Sequence, residues 1–130
     1  DRTGNKGEVR YQRGVAMAPN PQSYKFVVKE RPKAKGRPRF GKGRTYTPKG
    51  TIDAEATIAE AYNGPKFEGP VSMSCVFSPN RTTITITPLE VDTSPLRGDV
   101  SNYLKLVEDA LNGLAYDDDR QVHRLIGRKQ

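Results

Sequence analysis

The segment of residues 101–113 most constrains the fold, because it predicts a helix with a defined start and end. Three apolar residues recur at positions i, i+3 and i+7, which is one face of an α-helix: Leu104, Val107 and Leu111. Ser101 or Asp99 would cap the start, and Gly113 suits the left-handed conformation that often follows a helix end. We therefore expect this stripe to face the core of a domain.

Strand signals surround that helix. Four segments alternate or are rich in β-branched residues, and we predict them as strands: 24–28, 71–77, 82–87 and 121–126. A first helix is predicted to begin with Thr51 or Asp53 as its cap and to end before Gly64. The resulting order is strand, helix, strand, strand, helix, strand. This order indicates an α+β fold, with two helices packed on a small mixed or antiparallel sheet.

The chain has 130 residues, which suits one domain with a tail. Residues 1–22 carry Gly and Pro without a period and are expected to be a poorly structured extension, so that residues 23–130 form the domain. No apolar run is long enough for a membrane helix. The single cysteine, Cys75, excludes an internal disulfide and favours a thiol in a reducing cytoplasm. Because Asp1 is not a natural start, a fragment of a longer protein stays an open alternative.

Positive charge is concentrated in one segment. The net charge is +7, and eight basic residues with no acid lie between positions 31 and 49: Arg31, Lys33, Lys35, Arg37, Arg39, Lys42, Arg44 and Lys49. Such a segment repels itself unless it meets a polyanion, for which a phosphate backbone is the usual partner. A solvated loop or a localisation signal is the alternative. Phe40 and Tyr46 within it would either stack on bases or pack at the base of the loop.

Acidic residues flank the second predicted helix. Asp99 stands before it, and Asp117, Asp118 and Asp119 follow it. Carboxylates are the ligands that Mg²⁺ prefers, and phosphodiester cleavage commonly uses such an ion. The alternative is that Asp99 is only a helix cap and the triplet only a hydrophilic turn. Spacing by itself does not decide whether the two acidic sites converge.

Three spaced blocks resemble the RusA family of Holliday junction resolvases. They are Gly98-Asp99-Val100-Ser101-Asn102-Tyr103-Leu104-Lys105, then Asp109-Ala110-Leu111-Asn112-Gly113, then Asp117-Asp118-Asp119-Arg120-Gln121-Val122. The segment Lys35 to Phe40 is similar to the basic N-terminal loop of that family. The resemblance covers about residues 24 to 128, and the combination of blocks is more specific than any one block.

The resemblance implies a small homodimeric enzyme that binds four-way DNA junctions and nicks two strands symmetrically with Mg²⁺, for which Mn²⁺ substitutes. By position it makes Asp99 and Asp119 the metal ligands and Lys105 a residue that stabilises charge on the phosphate. Asp118 falls on a position with a ligand or supporting role. The DNA contacts would come from basic residues of the loop and from one near the acids: Lys33, Lys35, Arg37, Arg39, Lys42, Arg44 and Arg120.

Ser101 departs from the family pattern, which has a second acid at this position. A hydroxyl is a weaker Mg²⁺ ligand than a carboxylate and lowers the negative charge of the site. Either water or the Ser101 hydroxyl fills the gap, or Asp117 or Asp118 moves in, or the protein binds junctions and cuts poorly. We expect an active enzyme.

The expected function is therefore a metal-dependent crossover junction endonuclease in the cytoplasm of a bacterium or of a phage-infected host. Two alternatives remain: a branched-DNA-binding module with weak or no catalysis, which Ser101 favours, and a nuclease that prefers flaps or forks.

Overall fold

The computed structural model describes residues 22–36, 39–41 and 43–130, with only the backbone given for residues 39–41. The chain divides into two compact units, residues 1–90 and residues 91–130. The expected extension at residues 1–22 lies, apart from its last residue, outside the described residues. Arg37 and Lys42 of the basic segment lie outside them as well.

The first unit holds most of the regular structure. Its elements are β1 (Tyr24–Val28), β2 (Arg39–Gly41), β3 (Arg44–Tyr46), α1 (Lys49–Ala61), β4 (Val71–Ser78) and β5 (Arg81–Pro88). These strands include an antiparallel sheet with the order β1-β5-β4. Ile84 of the central strand β5 pairs with Phe26 of β1 on one edge and with Cys75 of β4 on the other. The three strands predicted in this part of the chain are confirmed, and the alternating strand β5 is the central one.

The core of this unit is thin. Among the described residues, Val28 and Ile84 are the buried hydrophobic side chains, at 7% and 6% exposure. An aromatic cluster adds to them where α1 ends: the ring centroids of Tyr24 and Phe26 lie 5.2 and 5.3 Å from that of Tyr62. Edge-to-face contacts of this kind are worth about 0.5–1.5 kcal/mol each beyond the area they bury. Because the chain has few hydrophobic residues, little apolar surface is buried where α1 packs on β1.

The first helix begins earlier than predicted. It starts at Lys49 with Pro48 as the N-cap, and not with Thr51 or Asp53. Proline is compatible with a helix start because it lacks the N–H that would be left unpaired there. Thr51 is 5% exposed, and its hydroxyl accepts a hydrogen bond of 2.9 Å from the N–H of Gly36. This bond anchors the start of the basic segment to the first turn of α1.

Part of the basic segment, which was predicted to be a loop, forms two short strands. The strands β2 and β3 form an antiparallel hairpin in which Arg39 pairs with Tyr46 and Gly41 with Arg44. Gly43 follows β2 with a φ of +76°, a conformation that glycine adopts without the steric cost of a Cβ. The residues of β3 are exposed, so this hairpin presents Arg44 and Tyr46 to solvent.

The second unit contains α2 (Val100–Leu111) and a short 3-10 helix (Asp119–Gln121). The predicted helix and its end are confirmed, since Asn112 is the C-cap and Gly113 has a φ of +83°. The apolar stripe is less covered than expected, because Val107 is 57% exposed and only Leu104 is half-buried.

The last predicted strand is wrong. No strand occurs over residues 121–126, all of which the structure describes. The 3-10 helix takes up Gln121, and the chain after it meets α2 at Gly127. This glycine lies so close to Leu104 that a Cβ on it would be 2.9 Å from the leucine side chain. The fold remains of the predicted α+β class, with a small antiparallel sheet and two helices.

Neither helix, within the described residues, combines the length and apolar character required to span a bilayer.

Candidate active site

Asp99 is the N-cap residue of α2, but its carboxylate is not used for capping. Its backbone φ and ψ are −70° and 141°, and its carbonyl accepts from the N–H groups of Asn102 at 3.0 Å and Tyr103 at 3.2 Å. The side chain makes no capping hydrogen bond. A carboxylate is favoured at a helix N-terminus by the partial positive charge there. The acid is thus exposed and available to a ligand, which weakens the interpretation that it serves only as a cap.

Asp118 and Gln121 stabilise the turn that follows α2 in the sequence. The Asp118 side chain accepts from the N–H of Arg120 at 2.8 Å, and Gln121 Oε1 accepts from the N–H groups of Asp117 at 2.6 Å and Asp118 at 3.0 Å. Together these bonds form a capping box around the 3-10 helix. The N–H of Arg120, followed by its guanidinium, holds the pKa of Asp118 below its usual value. Asp118 therefore has a structural task that limits it as a metal ligand.

Asp119 stands in a different environment from its neighbour. Its Oδ1 atom is buried and has no hydrogen-bond partner among the described residues. A buried polar atom left without a partner costs about 1–3 kcal/mol. Such an oxygen is satisfied when a cation or a donor from another molecule reaches it. The capping box thus engages the carboxylate of Asp118, whereas Oδ1 of Asp119 stays without a partner among the described residues.

Tyr116 connects the acidic turn to the second half of α2. Its hydroxyl donates to the carbonyl of Glu108 at 2.8 Å. Partial burial raises the pKa of Tyr116, and so do the nearby carboxylates of Asp119, Glu108 and Asp109. The turn is closed further by a bond of 2.7 Å from the N–H of Gly113 to the carbonyl of Tyr116. Asp119 is therefore part of a negatively charged neighbourhood near the C-terminal half of α2.

Lys105 and Ser101 lie on α2 itself. Lys105 Nζ is 3.7 Å from Asp109 Oδ1, one turn further along the helix, and both side chains are more than half exposed. Ser101 is exposed in the first turn, two residues after Asp99. Neither residue is spent on packing, so both are accessible to a ligand of the site.

The structure does not bring the predicted ligands into one cluster. No group of three or more His, Cys, Asp or Glu side chains with metal-binding geometry occurs in the described part of the chain. No hydrogen bond or ion pair joins Asp99 to Asp119. Mg²⁺ nevertheless needs only one or two protein carboxylates beside water and phosphate oxygens. The unpaired oxygen of Asp119 and the free carboxylate of Asp99 fit such an ion chemically.

The predicted DNA-binding residues that the structure describes are exposed. Lys33 and Arg44 are exposed, and Lys35 is paired with Glu55 at 3.4 Å through side chains that are 75% and 58% exposed. The Arg120 side chain is 91% exposed and pairs with Asp118 at 3.2 Å. Tyr46 is 49% exposed, so about half of its surface is accessible to a ligand. For Arg39 only the backbone position in β2 is known, and Arg37 and Lys42 lie outside the described residues.

Two contacts that shape the site were not predicted from the sequence. Gln121 stands three positions after Asp118, which is the spacing of a capping box, so the signal was present. Lys129 contacts the carbonyl of Gly98, 31 residues earlier in the chain, at 3.0 Å. No local sequence pattern predicts a contact between residues so far apart in the chain.

Comparison with protein families yields one match. The family model described as Endodeoxyribonuclease RusA matches residues 30–130, which include all the acids of the candidate site and the whole sheet except β1. Comparison with curated proteins and with solved structures gives no significant match. Members of the matched family are endonucleases that bind branched DNA and resolve Holliday junctions. Since the match spans most of the sequence, the chain belongs to the RusA family of endodeoxyribonucleases.

Proposed function

We propose that this protein is a Mg²⁺-dependent endonuclease that binds four-way DNA junctions and resolves them by paired symmetric nicks. Membership of the RusA family supports the reaction class. The single observation that carries the metal dependence is the buried, unpaired Oδ1 of Asp119. A fold tolerates the cost of such an oxygen most readily where a ligand satisfies it.

Asp99 and Asp119 would hold the ion, for which Mn²⁺ would substitute. When bound, the ion supplies an activated water and neutralises charge that develops on the phosphate. Asp118 is engaged in the capping box and is better suited to holding Asp119 in place. The exposed hydroxyl of Ser101 is available at the position where the resemblance places a second acid.

Lys105 would bind the scissile phosphate. Its present partner is Asp109, at 3.7 Å and largely exposed to solvent. Exposed pairs of this kind are worth about 0–1 kcal/mol. A phosphate, which binds a cation more strongly, would displace the Asp109 carboxylate at little cost. Lys105 would then stabilise negative charge on the phosphate during cleavage.

The basic hairpin and the segment around it would grip the arms of the junction. Contacts to phosphates carry little sequence information, so recognition would depend on shape and charge. The residues in this role are those predicted from the sequence: Lys33, Lys35, Arg37, Arg39, Lys42, Arg44 and, near the acids, Arg120. The exposed ring of Tyr46 would stack on bases opened at the centre of the junction.

A homodimer would supply the two sites that paired nicks require, because two-fold symmetry matches the symmetry of a junction. Large apolar side chains support association: Phe77 is 68% exposed on β4 and Leu106 is 71% exposed on α2. Exposed apolar surface of this kind commonly marks an interface. Sedimentation equilibrium would then give twice the chain mass of 14.4 kDa, whereas a monomer at micromolar concentration contradicts the dimer.

The test is cleavage of a synthetic four-way junction in Mg²⁺ or Mn²⁺. We expect paired nicks from the wild type and none from Asp119→Asn, with similar junction affinity for both proteins. A linear duplex of the same sequence is the control for structure specificity. Tight junction binding without nicks in either metal contradicts the enzyme and favours the branched-DNA-binding module.

Ser101 supplies a second arm to this experiment. If the lost acid limits the rate, Ser101→Asp raises cleavage above that of the wild type, and Ser101→Asn is the size-matched neutral control. A panel of flaps and forks tests the third alternative, because faster cleavage of those substrates than of the junction would assign the protein to them.

A further inference from the structure

The side chain of Lys129 is turned toward the protein. Its Nζ donates to the carbonyl of Gly98 at 3.0 Å and lies 3.3 Å from the carbonyl of Leu96. Lys129 is half-buried, whereas Arg128 and Gln130 on either side are exposed. A lysine that serves only to attract DNA would remain fully exposed, with its ammonium group in water. This lysine instead uses two of its three donors on the loop that precedes α2.

That loop carries Asp99, and both backbone polar groups of the preceding Gly98 are hydrogen-bonded. The N–H of Gly98 donates to the Tyr103 hydroxyl at 3.1 Å, while its carbonyl accepts from Lys129. A Cβ at Gly98 would be 2.9 Å from the Tyr103 ring, so a larger residue here would displace that ring and weaken its bond to the Gly98 N–H. The carboxylate of Asp99 has no capping bond of its own. Its direction therefore depends on how the main chain at Gly98 is held.

The segment that carries Lys129 is fixed beside the loop. Gly127 lies against Leu104 in the first half of α2, and the Ser94 hydroxyl donates to the carbonyl of Gln130 at 2.9 Å. The same segment begins at Asp119, ten residues before Lys129. One stretch of chain thus starts at one proposed metal ligand and ends on the loop that presents the other.

We propose that Lys129 is a positioning residue, whose ammonium group clamps the carbonyls of Leu96 and Gly98 and so sets the placement of the Asp99 carboxylate. This role rests on the proposed function of Asp99 as a metal ligand. It differs from a phosphate contact, because a lysine that binds DNA changes junction affinity and a lysine that positions a ligand changes the rate of the bound complex.

Three variants separate these roles: Lys129→Met, Lys129→Arg and Arg128→Met. The last removes the same charge from the adjacent residue and is the matched control. Amide hydrogen exchange of the DNA-free, metal-free protein comes first. We expect the Gly98 and Leu96 amides to exchange about 10-fold faster in Lys129→Met, to be unchanged in Arg128→Met and to recover at least in part in Lys129→Arg, since opening the loop exposes them.

Junction cleavage with enzyme in excess comes second. We expect Lys129→Met to cut about 10-fold more slowly, because a small displacement of a reacting group is costly, with a junction Kd no weaker than that of Arg128→Met. Unchanged exchange in Lys129→Met overturns the clamp. An equal loss of rate in Arg128→Met overturns the positioning role. If the wild type cuts no junction, the proposed function fails by itself, and the exchange rates alone then decide whether the clamp exists.

Discussion

The two predicted metal ligands, Asp99 and Asp119, are held by different kinds of contact. In the turn that follows α2 in the sequence, the capping box of Asp118 and Gln121 flanks Asp119 with bonds that span at most four residues. Before α2, Asp99 follows Gly98, whose carbonyl is bound by a lysine 31 residues away. One acid is positioned by local structure and the other by a long-range contact. Damage to these two kinds of contact should therefore have different consequences.

The largest effect is expected from the acids themselves. Asp99→Asn and Asp119→Asn should each lower junction cleavage by at least about 100-fold, since even the residues that support metal ligands are worth roughly 10- to 100-fold. Their stabilities should differ. Asp119→Asn places a neutral amide where Oδ1 is buried without a partner, so we expect its Tm without metal to be unchanged or raised. Asp99→Asn should lower the Tm slightly, because it removes a charge that the helix N-terminus favours. Calorimetry checks this, and a marked drop in the Tm of Asp119→Asn would assign that oxygen a structural role.

A smaller effect is expected from the capping box. Gln121→Ala removes the acceptor for the N–H groups of Asp117 and Asp118. The 3-10 helix should loosen and Asp119 should shift, which lowers cleavage by about 10-fold and lowers the Tm slightly. Gln121→Glu keeps the acceptor and should retain most of both. Wild-type cleavage in Gln121→Ala would mean that the local bonds do not position Asp119.

The turn after α2 should tolerate change better. Gly113 has a φ of +83°, which an alanine adopts at a cost of about 1 kcal/mol or slightly more. Gly113→Ala should lower the free energy of unfolding by that amount in a urea titration. Gly113→Asn should lose less, because asparagine enters this conformation more readily. Equal losses in the two variants would contradict this explanation.

The smallest effect concerns pH. The N–H and guanidinium of Arg120 depress the pKa of Asp118 in the folded protein. A depressed pKa stabilises the fold at pH values above the unfolded pKa of about 3.9, and this contribution is lost as the pH falls through the folded pKa. We expect Asp118→Asn to reduce the loss of stability that accompanies acidification below about pH 4. Carbon-detected NMR titration of Asp118 measures the pKa directly, and a value at or above that of a free aspartate would contradict the assignment.

Much of the fold could be predicted because its signals are local. The alternation of residues 82–87 identified the central strand β5, and the stripe with Gly113 identified α2 and its end. The start of α1 was predicted too late in the sequence. Threonine is a residue type that often caps helices, but the hydroxyl of Thr51 accepts a hydrogen bond from Gly36 instead. The last strand was predicted from the local sequence alone, whereas a strand also needs a partner, and residues 121–126 pair with no strand.

The candidate site also has features that the sequence predicts and others that only the structure reveals. The resemblance assigns Asp99, Lys105 and Asp119 by position, and the spacing of Asp118 and Gln121 is that of a capping box, but no sequence pattern shows that Oδ1 of Asp119 is buried without a partner. That difference depends on burial and on which donors are in reach.

The sequence by itself determined the helix, the strands of the sheet and the acidic turn, because propensity, periodicity and capping act over a few neighbouring residues. Only the tertiary structure decided that Asp119 keeps a buried oxygen without a partner and that Lys129 reaches the loop of Asp99. Burial and long-range hydrogen bonds arise when distant segments come together. The energy of such a contact depends on both segments, so the sequence of either one is not enough to predict it.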